Sequence, residues 1–355
     1  MKKLISLSLA SVLLLAGCGS SASAAESSVS ESQETASPSA AAEAAVSEES
    51  AAFPVAIKHV YGETVIESKP ERVVTLAFGN QDVVLSLGIV PVGFSAANYG
   101  VQDDSGMLPW TKEKLEELGE ENPNVFQDTD GIDYEAVADC DPDIILAPYS
   151  GLTQEEYDML TKIAPTIAYP EQAWTISTED WISVTAQALG VPEKGQEVID
   201  HMHDVIEKKK SAHPEFEGKT FVWITFNEDD LSALHAYSPD DSRCKFLTEF
   251  GFSYPESISE YVQDGKYSLD ISAENADLLY DADFLIGYST EAGYAAAAAD
   301  PVLGEIPALK KNAVVSIDSG TPLSAALTMT PLSFDYTIDE YTDKLAEAVS
   351  HSQAE

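Results

Sequence analysis

The side chains best suited to hold a guest are aromatic rings in the loops that follow predicted strands, and one arginine. Phe78 follows the first strand of the folded part, and Tyr99 and Trp110 lie in the long loop after the second. Tyr149 comes directly after Ala147-Pro148, and Trp174 comes shortly after Tyr169-Pro170. Later in the chain Tyr237 precedes Arg243, and Tyr288 follows Ile286-Gly287. Flat rings offer stacking faces to a bulky, partly apolar guest, and a guanidinium offers a planar donor fork to acidic oxygens. The competing reading is plain packing for each ring and, for Arg243, an ion pair with Asp240 or Asp241. The chain has two arginines, and the other, Arg72, opens a strand and reads as structural.

Other chemistries find less support. Of the six histidines, His201 and His203 are two apart on a predicted helix and point to different faces, while His59, His213 and His235 are isolated. A zinc or manganese site therefore lacks its ligand spacing. DTDGID at 128–133 has its glycine in the wrong place for an EF-hand loop. No Gly-x-Ser-x-Gly elbow, P-loop or dinucleotide fingerprint occurs, and Ser150-Gly151 has no histidine nearby. A surface-anchored enzyme stays the alternative of a different class, with binding and no catalytic residue the expectation. The net charge of −42, or −44 once Lys2 and Lys3 leave with a signal, excludes general attraction to nucleic acid.

The elements that must position these residues alternate. Residues 72–77 form a β-branched apolar run, and 80–87 read as a helix with Asn80 as its cap, stopped by Gly88. Further strands are expected at 90–94, 144–147 and 166–169, and helices at 133–140 and from Thr153 to about 164. Such alternation with short connections is the mark of a parallel sheet wrapped by helices. Two helices, 178–189 and 193–212, then follow with no strand between them. The second carries Ile199, Met202, Val205 and Ile206 at helical spacing and ends in three lysines, which suit the helix C-terminus. Alternation resumes with strands at 219–226, 283–287 and 313–317, and helices at 242–250, 272–280 and 335–349. The expected architecture is α/β: two Rossmann-like lobes, 53–190 and 214–355, joined by a long rigid helix at 191–213. Cys140 and Cys244 fall in different lobes and are expected as buried thiols.

Ahead of this part, Lys2 and Lys3 precede an apolar run that is too short to span a bilayer and that closes in LAGC at 15–18. Ala16-Gly17 before Cys18 resembles the lipobox of bacterial lipoproteins, which implies a signal peptide at 1–17 and lipidation of Cys18. Residues 18–52, almost all Ser, Ala and Glu, read as a disordered tether. So long an acidic tether fits a Gram-positive-type surface, with the protein on the extracytoplasmic face of the cell membrane.

The folded part resembles a known family, the class III iron–siderophore and cobalamin group of ABC-transporter substrate-binding proteins. The matching stretches are IKH at 57–59, GET at 62–64, PERVV at 70–74, LGIVPVG at 87–93 and DYEAV at 133–137. PDIILA at 142–147, YSGLT at 149–153, KIAPT at 162–166 and DAD at 281–283 continue the series. The resemblance implies a monomer with a shallow cleft between lobes that move little. It implies Phe78, Tyr99, Trp110, Tyr149, Trp174, Tyr237, Arg243 and Tyr288 as ligand-binding residues. The partners it implies are a ferric siderophore, whose iron needs no metal site or cofactor of the protein's own, and the ABC permease. In this family an acidic residue on each lobe docks onto the permease, and the matching positions are Glu135 and Glu274. With a single arginine near the cleft, a neutral or cationic ferric complex such as a hydroxamate is expected over a tris-catecholate trianion, whose desolvation would be costly. Haem and cobalamin stay open as alternative ligands of the same fold.

Overall fold

A computed structural model of the chain describes residues 53–354 without residues 102, 129, 228, 260, 263–265 and 267. The expected signal peptide, Cys18 and tether lie outside the described residues. Among the described residues no helix is long and apolar enough to cross a membrane.

The described chain opens on a hairpin, β1 (Val55–His59) against β2 (Gly62–Ile66), whose side chains on β1 alternate buried and exposed. The first lobe is then built on five parallel strands. These are β3 (Val73–Thr75), β4 (Gly93–Ser95), β5 (Val125–Phe126), β6 (Ile144–Leu146) and β7 (Thr166–Ile167), in the spatial order β5-β4-β3-β6-β7. β3, β4 and β6 are buried along their whole length, as strands covered on both faces must be. Their connections carry α1 (Asn80–Ser86), α2 (Pro109–Glu117), α3 (Tyr134–Asp139) and α4 (Gln154–Leu160). α3 starts where Asp133 accepts the Ala136 N–H at 3.0 Å, and α4 where Thr153 and Glu156 form a reciprocal capping box.

Two helices leave this sheet, α5 (Thr178–Ala188) and α6 (Pro192–Ala212). At about 1.5 Å per residue α6 is some 30 Å long. It buries Gly195, Ile199, Met202 and Ile206 along one stripe, and a Cβ at Gly195 would lie 2.5 Å from that of Ala186 on α5.

The second lobe departs from the expected parallel sheet. Its strands are β8 (Phe221–Asn227), β9 (Asp230–Tyr237), β10 (Ser268–Ser272), β11 (Phe284–Tyr288) and β12 (Val314–Ile317), in the order β10-β9-β8-β11-β12. β8, β11 and β12 run parallel, while β9 folds back antiparallel on β8 and β10 runs antiparallel to β9. The stretch expected as a helix over 272–280 instead ends β10 and continues as 3₁₀ turns over Ala273–Leu279. Around the sheet lie α7 (Ser242–Glu249), α8 (Glu256–Ser259), α9 (Glu291–Ala299), α10 (Pro307–Lys310), α11 (Pro322–Ala326) and α12 (Pro331–Ser352). α12 begins four residues ahead of its expected start and packs on α1 and α2 of the first lobe as well as on β11 and β12. Cys140 and Cys244 are both buried and unpaired.

Candidate binding cleft between the lobes

The C-terminal ends of the first lobe's strands face the second lobe across a cleft of about 530 Å³. In open α/β sheets this edge is where ligands enter, because the loops there can vary without disturbing the strands. From the first lobe the cleft is lined by Phe78, Asn98, Tyr99, Tyr149 and Trp174, and from the second by Thr225, His235, Tyr237, Arg243 and Tyr288. Ser319 and Thr328 complete the rim. All the sequence-predicted ligand residues except Trp110 are thus brought together.

Buried polar groups hold the first-lobe loops in place. Asn80 was expected to cap α1; Gly79 takes that position, with a left-handed φ of 78°. This frees the Asn80 carboxamide for a longer reach. Its Nδ2 donates to the Leu76 carbonyl at 2.6 Å and the Tyr149 carbonyl at 2.9 Å, and its Oδ1 accepts from Trp181 Nε1 at 2.8 Å. The Tyr149 ring then stacks on Trp181 at 4.8 Å between centroids, with Trp174 edge-on to it at 5.1 Å. Trp174 has φ 64°, and Ala77, next to Phe78, also has φ 64°. Such values are costly for side chains other than glycine, and they recur where a structure presents a side chain for function. Gly151 makes room for the indole, since a Cβ there would sit 2.7 Å from Trp174 Nε1.

Arg243 organises the opposite wall. Its Nε and Nη2 donate to the two carboxylate oxygens of Asp241, both at 2.7 Å, and its Nη1 donates to the Tyr288 hydroxyl at 3.2 Å. The guanidinium carbon lies 3.8 Å from the centre of the Tyr237 ring. Arg243 therefore lines the cleft and is at the same time paired with Asp241. Burial works against its charge, but Tyr288 and Asp241 outweigh burial and hold it protonated. Burial also pushes the phenols of Tyr149 and Tyr288 up, so both remain hydroxyls. Tyr99 meets Tyr288 edge-on across the lobes at 5.9 Å. His235, pairing with Thr225 in the register of β9 on β8, has its Nδ1 2.9 Å from Asp270. Sequence reasoning missed His235, Thr225, Asn98, Ser319 and Thr328. The first two are paired by a hairpin that no periodicity announced.

The two-sheet architecture agrees with comparison to known proteins. Residues 73–321 match the family described as periplasmic binding protein. The chain belongs to that family. The crystal structure of PiaA from Streptococcus pneumoniae TIGR4 in complex with ferrichrome is 44% identical, with a TM-score of 0.80 over 83% of this chain and 99% of that one. The probable siderophore-binding lipoprotein YfiY of Bacillus subtilis is 28% identical over 289 residues, covering 80% of this chain and 78% of that protein. SirA of Staphylococcus aureus, complexed with staphyloferrin B, is 22% identical with a TM-score of 0.65 over 82% of this chain and 98% of that one, a likeness of fold alone. The fold is the two-lobed one of these binding proteins, whose second sheet is mixed here.

Trp110 is the expected cleft residue that lies elsewhere. It is 3% exposed, packs beside Tyr336 at 5.6 Å, and donates its Nε1–H to Asp82 at 2.7 Å. The helix α2 turns it under the first lobe, toward α12, and away from the cleft. Glu135 in the first turn of α3 and Glu274 at the start of the 3₁₀ turns are both exposed, as a docking contact requires. Among the described residues no group of three or more His, Cys, Asp or Glu side chains is placed to hold a metal ion.

Proposed function

We propose that this chain is a lipid-anchored, extracytoplasmic binding protein that captures a ferric siderophore, a hydroxamate in preference to a tris-catecholate, and hands it to an ABC permease. The observation that carries this reading is the character of the cleft: an aromatic enclosure whose one arginine is already neutralised by Asp241. A tris-catecholate trianion would have to shed its water against that nearly neutral wall, in a chain of net charge −42, and gain no free cation in return. A ferric hydroxamate meets the same rings through stacking and the phenol and guanidinium donors through its oxygens. The 44% identical relative supports the ligand class, since it was crystallised with ferrichrome, a hydroxamate complex. Iron would arrive already coordinated, so the protein supplies affinity and orientation with no bond made or broken. Delivery rests on Glu135 and Glu274, whose charges would orient docking on basic groups of the permease. Titration of the full chain in detergent with ferric trihydroxamate and ferric tris-catecholate, followed by tryptophan quenching, tests the reading. Tighter binding of the catecholate overturns the ligand class, and saturable binding of neither overturns capture.

A further inference from the structure

Resting on the ferric-siderophore reading above, we propose that Asp128 and the side chamber it borders take a positively charged amine carried on the periphery of the ligand. The chamber, about 270 Å³, opens beside the main cleft and shares Phe78, Asn98 and Trp174 with it. It is about half the volume of the cleft, a space for an appendage and not for a second ferric centre. Its polar wall is acidic, with Asp128 from the loop after β5 and Glu156 from the first turn of α4.

Asp128 is held in place for this. The Ala77 N–H donates to Ser95 Oγ at 3.0 Å, and the Ser95 hydroxyl in turn donates to Asp128 Oδ2. The relay starts at the left-handed residue Ala77, so the backbone that presents Phe78 to the cleft also orients this carboxylate. Among the described residues no lysine, arginine or histidine forms an ion pair with Asp128, although it is only partly exposed. Burial pushes its carboxyl up, against the Ser95 hydroxyl and its own backbone N–H, which lower it. Glu156 is already occupied by the Thr153 N–H and hydroxyl, both at 2.8 Å, and adds a second negative field on the same side. A metal ion would need more ligands than these two carboxylates supply. A primary ammonium needs only one carboxylate and an apolar sleeve for its methylenes, which Ile132 and Leu152 provide. The cleft and the chamber together then divide the ligand: a neutral ferric core over the rings, a cationic arm toward Asp128.

The test uses the full chain in detergent and two probes, a linear ferric trihydroxamate with a terminal ammonium and the same compound N-acetylated. The ammonium probe is expected to bind about tenfold more tightly, the scale of one charge-assisted hydrogen bond that stays partly wet. In Asp128→Asn that preference falls to within about twofold, whatever the change in affinity for the acetylated probe itself. Equal affinity of wild type for the two probes overturns the inference, as does a preference that survives in Asp128→Asn. If the variant melts at a lower temperature, the comparison of probes on wild type still decides. Binding of the acetylated probe reports on the ferric-siderophore reading by itself. Saturable binding of both probes with equal affinity sinks only the amine pocket, whereas no binding of either sinks both.

Discussion

Replacing Asp82 by asparagine should change how stability depends on pH. Asp82 is fully buried in α1 and collects four donors: Trp110 Nε1 and Thr111 Oγ1 at 2.7 Å, Thr330 Oγ1 at 3.0 Å and Gln81 Nε2 at 3.3 Å. Burial lifts its carboxyl from 3.8 to about 6 against the lowering effect of those donors. The folded protein therefore holds the proton more tightly than the unfolded chain. The associated stability is present in full below the unfolded value near 4, and it is lost as pH rises through 6. At about 1.4 kcal/mol per pH unit the whole effect is near 3 kcal/mol, of which roughly 2.5 falls between pH 4 and 7.5. Wild type carries many other acids that also titrate, so its own pH profile is not diagnostic. Asp82→Asn carries the same acids and lacks this one, and the difference between the two proteins isolates it. Urea unfolding followed by tryptophan fluorescence should show wild type losing about 2 to 3 kcal/mol relative to Asp82→Asn between pH 4 and 7.5. A difference that stays constant across that range would refute the argument, because it would mean that folding leaves the proton affinity of the carboxyl unchanged.

Gly151→Val places a side chain where Trp174 Nε1 lies 2.7 Å from the built Cβ, so the indole must leave its position over the loop. Affinity for a ferric hydroxamate should fall about tenfold, since a stacking face is lost, and the melting temperature should fall as well, since the contact of Trp174 with buried Tyr149 goes with it. Arg243→Ala leaves Asp241 buried without its partner and should cost about 3–5 kcal/mol in urea unfolding. Arg243→Lys should recover only part of that, because an ammonium keeps the charge and loses the fork. Gly287→Ala would put a Cβ 1.8 Å from the Ile224 carbonyl oxygen between β8 and β11, and should lower stability by about 3 kcal/mol or more by the same assay. Charge reversal at Glu135 and Glu274 together should abolish iron uptake by cells while leaving ligand affinity unchanged; an equal loss of affinity would place them in binding instead of docking.

Local signals in the chain foretold local structure. Asp133 and Thr153 each cap the helix that was expected to begin there, and the stripe of Ile199, Met202 and Ile206 on α6 is buried as its spacing implies. The ends of parallel strands and the loops after them brought together Phe78, Tyr99, Tyr149, Trp174 and Tyr288, because that follows from strand direction and not from any one residue. Tyr237 and Arg243 reach the cleft from the end of antiparallel β9 and from α7. Failures came where distant partners decide. Trp110 looks like a loop aromatic until Asp82 and Tyr336 are brought to it by α1 and α12. Asn80 carries every local mark of a helix cap, yet Tyr149 and Trp181 claim its side chain from 69 and 101 residues away. β9 reads as neither strand nor helix, since LSALHAY mixes both periods, and only its register on β8 sets His235 beside Thr225.

These long-range polar contacts also say how the cleft works. Asn80 and Asp82 lie in the same turn of α1, one fixing the Tyr149 loop and Trp181, the other joining Trp110 to Thr330 at the start of α12. Thr178 of α5 adds a bond to the Met329 carbonyl at 3.0 Å. A wide hinge motion would separate Thr330 from Asp82 and Thr178 from residue 329, leaving a buried carboxylate short of a donor, and each such loss costs on the order of 1–3 kcal/mol. The energy available from stacking a ligand is of similar size, so lobe opening would cancel much of the affinity that it made room for. A cleft shaped in advance avoids that cost. The left-handed backbone at Ala77 and Trp174 is then part of the same design: the strain is carried in the unliganded fold, held there by Asn80, Ser95 and the glycine at 151, so that little has to be ordered when the ligand arrives.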